Sequence, residues 1–201
     1  MLCVNVAIKI INLKINSKFK IFYKIIFMSL LTLYQYYGKI RSLCHYYILP
    51  EYFTASLIMD DIYVGDIYDA HNIKELKNLG ITNVISVVPG IENMYTEEDG
   101  INHKCYEIID NLDANLEQYF NETSDLIEKI VNKKEKVLIH CICGVSRSVT
   151  ILIAYMIKKR KYQLQEAINL ISQKRNIIKP NYSFLSQLVK YQHFLQFSQN
   201  P

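Results

Sequence analysis

The apolar run Val137-Leu138-Ile139 passes directly into His140-Cys141-Ile142-Cys143-Gly144-Val145-Ser146-Arg147-Ser148, and the apolar stretch VTILIAYMI follows. The first run reads as a short central strand. The last is apolar on nearly every face of a helix, so both flanks belong in a core. The chain must therefore carry two thiols, a glycine and a guanidinium through a sharp strand-to-helix turn in its interior. A helix that starts there presents unpaired N–H groups and the positive end of its dipole, which together favour an anion. Gly144 permits a backbone conformation that a side chain forbids, so neighbouring amides can converge. Arg147 at the start of an apolar helix is costly unless an anion meets it, and its planar fork suits two oxygens of one phosphate.

The rest of the chain alternates strands with helices. DIYVGDIYDA reads as a strand ending at Gly65, and HNIKELKNLGI as a helix closed by Gly80. TNVISVV reads as a buried strand ended by Pro89-Gly90, and CYEII (105–109) as a further strand stopped by DNLDAN. Helical spacing predicts helices over 115–132, 148–160, 163–175 and 182–197, the last with Asn181 as its N-cap. The expected architecture is α/β, with a mostly parallel central sheet flanked by helices and a C-terminal helical cluster. In such sheets the functional crevice lies beyond the carboxyl ends of the strands, where Cys141 and Asp110 both fall.

Charge divides the chain unevenly. The net charge of +4 over 201 residues arises in residues 1–50, which carry seven Lys or Arg and no carboxylate; the remainder has a balance of −3. Nothing in a mildly acidic body suggests a nucleic-acid surface, and no nucleic-acid partner is expected. Residues 1–56 read as a basic, apolar extension, poorly ordered, and residues 57–198 as the folded domain. The apolar core of the segment 21–37 is too short to span a bilayer and suits at most weak contact with a membrane surface through residues 1–40. A chain beginning at Met59 or a few residues earlier is expected to fold and to keep full activity. Five cysteines, at 3, 44, 105, 141 and 143, lack a disulfide framework and point to a reducing compartment, cytoplasmic and also nuclear. The histidines are too scattered to complete a zinc site with Cys141 and Cys143, so neither metal nor cofactor is expected.

A thiol facing such a loop ionises readily, because the field that binds phosphate also stabilises a thiolate. Cys141 is thus the expected nucleophile. Asp110 is the expected proton donor for the leaving group, chosen over Asp113 because it would be the first residue past its strand. Ser148 is placed to hydrogen-bond the sulfur, and His140 to orient the strand end. The backbone of Ile142, Cys143, Gly144, Val145 and Ser146, with Arg147, forms the phosphate site. Cys143 itself is expected to pack as a small buried hydrophobe, the alternative being that Cys143 or Cys105 captures an oxidised Cys141 as a reversible disulfide.

The signature H-C-x5-R-S, as His140-Cys141 to Arg147-Ser148, resembles that of the cysteine-dependent protein phosphatases. DIYVGDIYDA, GITNVISVV, NLEQYF and KPNYSFLSQL resemble the small dual-specificity members over about residues 57–197. The resemblance implies a three-layer α/β phosphatase fold and hydrolysis of phosphotyrosine and phosphoserine or phosphothreonine in protein substrates, without metal. It also implies Cys141 as nucleophile, Arg147 as phosphate clamp, Asp110 as general acid and Ser148 as leaving-group aid. Other readings are a phosphatase for a phosphoinositide or RNA 5′-phosphate, and a phosphoprotein-binding module without turnover. The uncharged Ile142, Cys143 and Val145 favour protein over lipid substrates, and an intact nucleophile argues against a pure binder.

Overall fold

The computed structural model describes residues 53–91 and 94–198. Of the expected extension 1–56 only residues 53–56 are described, and there Thr54 is hydrogen-bonded to Asp69; the rest, including its membrane contact, lies outside the described residues. Among those described, no helix is long and apolar enough to cross a membrane.

Among the described residues five strands form one sheet: β1 (Ser56–Met59), β2 (Ile62–Gly65), β3 (Ile81–Ser86), β4 (Asn102–Cys105) and β5 (Lys136–His140), in the order β1-β2-β5-β3-β4. Only the edge pair β1–β2 is antiparallel. The helices are α1 (Ile67–His71), α2 (Ile73–Leu79), α3 (Phe120–Asn132), α4 (Arg147–Arg160), α5 (Leu164–Lys174) and α6 (Tyr182–Phe197).

Strand periodicity sorts the core into two layers. Ile62, Val64, Ile85, Val137 and Ile139 point to one face, where they meet α3, α4, α5 and α6. Tyr63, Val84 and Leu138 point to the other, where they meet Ala70 of α1 and Leu76 of α2. The mostly parallel, three-layer α/β architecture is therefore present, with four helices on one face and two short ones on the other. α4 is the central helix of the larger layer: every residue from Arg147 to Ile157 is buried, as its all-round apolar sequence requires. Gly80 closes α2 at φ +71°, and the Asn181 side chain accepts from the Phe184 N–H to open α6.

The fourth strand differs from expectation. It runs over Asn102–Cys105 and not 105–109, because its partner β3 ends at Ser86 and the last ladder bond is Tyr106 N–H to the Ser86 carbonyl, 2.8 Å. Tyr106 and Ile108 remain buried while Glu107 and Ile109 face out, so the alternation that reads as a strand persists without a partner. Asp110 consequently lies five residues beyond its strand. The expected helix from 115 begins as a 3₁₀ turn, Glu117–Tyr119, and becomes α-helical at Phe120. At the other edge, Thr54 and the first three residues of β1 lie ahead of Met59 and are bonded into the sheet and its helices, so a start at Met59 deletes ordered structure, whereas a start a few residues earlier keeps it only if Thr54 is included.

Candidate active site

β5 delivers His140 and Cys141 to the carboxyl edge of the sheet, and the chain turns through 142–146 into α4. Three carbonyls of this turn are held from outside. That of Ile142 accepts from the Ile67 N–H at 3.3 Å and that of Val145 from the Lys179 N–H at 2.8 Å. The Gly144 carbonyl accepts from Nε of Arg175 at 2.8 Å. In a planar trans peptide the carbonyl and the following N–H point in opposite directions. With these carbonyls outward, the N–H groups of Cys143, Val145 and Ser146 are turned to the inside of the loop. Gly144 adopts φ +64°, and a Cβ there would strike the Gly65 backbone and come within 2.6 Å of Arg175 Nη2. Glycine is required on both counts.

Cys141 is buried at the centre of this curve. Burial by itself pushes its thiol pKa up. The hydroxyl and N–H of Ser148, the positive charge of Arg147 and the N–H of Val145 outweigh that and leave the pKa below its ordinary value. The Ser148 hydroxyl lies 3.4 Å from the sulfur.

Arg147 and Asp110 meet opposite the thiol. Nη1 of Arg147 donates to the Ile108 carbonyl at 2.9 Å, which fixes the guanidinium against the acid loop. Its Nε is buried without a hydrogen bond, 3.5 Å from Asp110 Oδ2, so part of the fork is uncommitted. Asp110 Oδ1 accepts from Ser146 Oγ at 3.1 Å and from Asn181 Nδ2 at 2.7 Å. Asn181 also donates its backbone N–H to Ser146 Oγ and its Nδ2 to the Asn111 carbonyl, both at 3.2 Å. The acid loop, the thiol loop and the start of α6 are thereby tied together. Asp113 is exposed further along the same loop.

His140 is wholly buried, and its ring bridges Ser86 Oγ (Nε2, 2.6 Å) and the Cys141 carbonyl (Nδ1, 3.2 Å). Burial is the main cause that brings its pKa down to about 3, so the ring is neutral. A carbonyl only accepts, so Nδ1 carries the proton and Nε2 accepts from Ser86. Ser86 Oγ in turn meets His103 Nε2 at 2.7 Å. Cys143 corrects its expectation: the side chain is exposed, because its residue contributes an inward N–H while the thiol lies outside the curve. The desolvation that remains, with Cys141 and Asp66 nearby, pushes that thiol up.

Cys141, Arg147, Ser148 and His140, from one continuous stretch, are thus brought together with Asp110 from the acid loop. The sequence does not reveal Arg175, which stands at the end of the helix predicted over 163–175 with no local signal of a partner. Nor does it reveal the second role of Asn181, whose N-cap signal is local while its bond to Asp110 spans 71 residues.

An inward ring of donors leaves one strong electron-pair donor, the sulfur, facing whatever the ring holds, so fold and site define a thiol-centred oxyanion site of the cysteine-phosphatase class. The chain belongs to the dual specificity phosphatase family: the family model described as "Dual specificity phosphatase, catalytic domain" matches residues 62–194. Dual specificity protein phosphatase 9 of Homo sapiens is 32% identical over 142 residues, which are 71% of this chain and 37% of that protein. Dual specificity protein phosphatase 1 of Homo sapiens is 36% identical over 135 residues, 67% of this chain and 36% of that protein. The chain spans little more than a third of the length of these curated relatives. The crystal structure of human DUSP28 superposes with a TM-score of 0.67 at 23% identity, covering 71% of this chain and 99% of that one, and shares the fold.

Proposed function

We propose that this chain is a dual-specificity protein phosphatase that hydrolyses phosphotyrosine and phosphoserine or phosphothreonine through a cysteinyl phosphate. The observation that carries the reading is the loop of outward carbonyls, inward N–H groups and Arg147 wrapped around a thiol whose pKa is lowered. Phosphate oxygens take the inward N–H groups and the free part of the Arg147 fork. Cys141 sulfur then forms a bond to phosphorus as the bond to the substrate oxygen breaks, and Asp110 gives that oxygen a proton. Ionised Asp110 next takes a proton from water, whose oxygen attacks phosphorus, releasing phosphate and the thiolate. Ser148 supports the sulfur as it leaves. His140, neutral and hydrogen-bonded on both nitrogens, orients the strand end and takes no part in proton transfer.

Protein substrates are favoured by the rim. Ile109, Leu112, Ile142 and Tyr182 are exposed large apolar side chains, each one or two residues from Asp110, Cys141 or Asn181. Between His140 and Ser148 the only charged residue is Arg147, whereas a polyphosphorylated lipid headgroup calls for further cations. A reduced thiol is the working form, so the protein belongs in a reducing compartment such as the cytoplasm or nucleus.

The test is steady-state hydrolysis of phosphotyrosyl and phosphothreonyl peptides beside a phosphoinositide and an RNA 5′-phosphate, with Cys141→Ser as the substrate trap. Peptide turnover well above the others is the expected result. A preference for lipid or RNA overturns the substrate class, and phosphopeptide binding without turnover makes the chain a binding module.

A further inference from the structure

Two of the three outward carbonyls of the thiol loop are held by backbone N–H groups, which only a proline substitution removes. The third, Gly144, is held by a side chain. Arg175 follows the last residue of α5, is only 5% exposed, and reaches the Gly144 carbonyl with Nε. Its Nη1 donates to the Thr54 carbonyl at 2.9 Å and to Ser56 Oγ at 3.4 Å. Thr54 is gripped from its other side: its N–H and hydroxyl both donate to the carboxyl of Asp69, which is 1% exposed and also accepts the Asp66 N–H. A buried cation and a buried acid therefore brace one residue between them. Burying such charges is costly unless their partners are fixed, and the partners here lead to the thiol loop.

The consequence follows from peptide planarity. The Gly144 carbonyl and the Val145 N–H are opposite ends of one peptide unit. Arg175 holds the first, and the second faces Cys141. We propose that Arg175 is a positioning residue for the thiol loop: it sets the 144–145 peptide so that the Val145 N–H points at Cys141 and at an oxyanion bound there, while Thr54 and Asp69 keep Arg175 in place. Gly144 and Arg175 form a matched pair, since a Cβ at 144 would crowd the guanidinium. The charged group acting on Cys141 is Arg147 on α4; Asp66, Arg147 and Asp110 act on the neighbouring Cys143, and neutral His140 precedes Cys141. Substituting Arg175 leaves all of these in the chain.

This inference rests on the phosphatase reading for its turnover assay but not for its binding assays. The experiment uses full-length Arg175→Ala, Arg175→Lys and Thr54→Val. It measures kcat and KM on a small aryl phosphate, orthovanadate affinity, the pH midpoint of Cys141 alkylation and the thermal midpoint. Loss of a charged hydrogen bond predicts about 10–100-fold weaker vanadate binding and lower kcat/KM in Arg175→Ala, with the alkylation midpoint moved up. Millimolar guanidinium should restore much of the loss. Lysine should restore little, because a point charge does not reach both carbonyls with a fixed fork. A lowered thermal midpoint with wild-type vanadate affinity and alkylation midpoint overturns the proposal and leaves Arg175 a packing role. If Arg175→Ala does not fold, Thr54→Val decides: about 2–10-fold weaker vanadate binding supports the brace, and wild-type affinity overturns it. A wild-type protein that binds vanadate but hydrolyses no phosphate ester defeats the phosphatase reading alone.

Discussion

The thiol loop and the acid loop face each other across the site and are built in different ways. Residues 141–147 are continuous with a central strand and the central helix, and their carbonyls are held by partners from α1, from the α5 terminus and from the segment before α6. Residues 106–113 follow an edge strand, have no ladder partner after Tyr106, and present Ile109 and Leu112 to solvent, 62% and 66% exposed. Their position depends on Arg147 holding the Ile108 carbonyl and on Ser146 and Asn181 holding Asp110. One loop has its carbonyls held by outside partners at three points along its backbone, whereas the other hangs from side chains of the thiol loop and of Asn181. Damage to the thiol loop should therefore remove chemistry outright, and damage to the ties of the acid loop should weaken it by degrees.

The largest effect should come from the thiol loop. Cys141→Ser is expected to abolish hydrolysis of an aryl phosphate while phosphopeptide capture persists, and Arg147→Lys to lower kcat by about 10²–10³-fold. Wild-type turnover by either variant, measured by phosphate release, breaks the comparison at its stronger end. Next, Asp110→Asn should lower kcat on an alkyl phosphate by about 10²–10⁴-fold and remove the limb of the pH–rate profile that reports the acid. Asp113→Asn should do neither; a larger loss in Asp113→Asn would mean that the loop swings a different carboxylate inward.

The ties themselves give smaller effects. Asn181→Ser keeps an N-cap for α6 but deletes the donor to Asp110, so kcat should fall by about 2–10-fold with little change in the thermal midpoint. Asn181→Ala should show the same kinetic loss plus about 0.5–2 kcal/mol of lost stability. Equal kinetics in Asn181→Ser and wild type would show that Ser146 and Arg147 suffice to hold the acid loop.

The smallest effect on turnover belongs to His140, and its signature is stability. Its pKa is about 3 in the folded chain, below the ordinary value of 6.5, with burial the main cause. Between those values the unfolded chain binds the extra proton, so stability rises with pH and is lost on acidification from about pH 6.5 downward. The slope from this one group is at most about 1.4 kcal/mol per pH unit. Urea unfolding of His140→Gln at pH 7 and pH 5 should show a shallower loss than wild type. A parallel loss in both proteins would place the acid sensitivity elsewhere.

Local features were legible where chemistry and conformation share a stretch of chain. The strand-to-helix turn, the need for glycine at 144, the thiol flanked by Arg147 and Ser148, and the Asn181 cap all follow from spacing and residue type, because each works over a few residues. The layered α/β plan follows likewise from the alternation of periods. Tertiary structure decided what depends on a neighbour's length or on distant partners. β4 stops at Cys105 because β3 stops at Ser86, although the apolar alternation runs on to Ile109. The Cys143 side chain lies outside the curve because its N–H is needed inside. Arg175 became part of the site only when folding placed it 31 residues along the chain from Gly144 and 121 from Thr54, near enough to grip both. A side chain's identity states what it can bond, but packing alone states which group lies within reach.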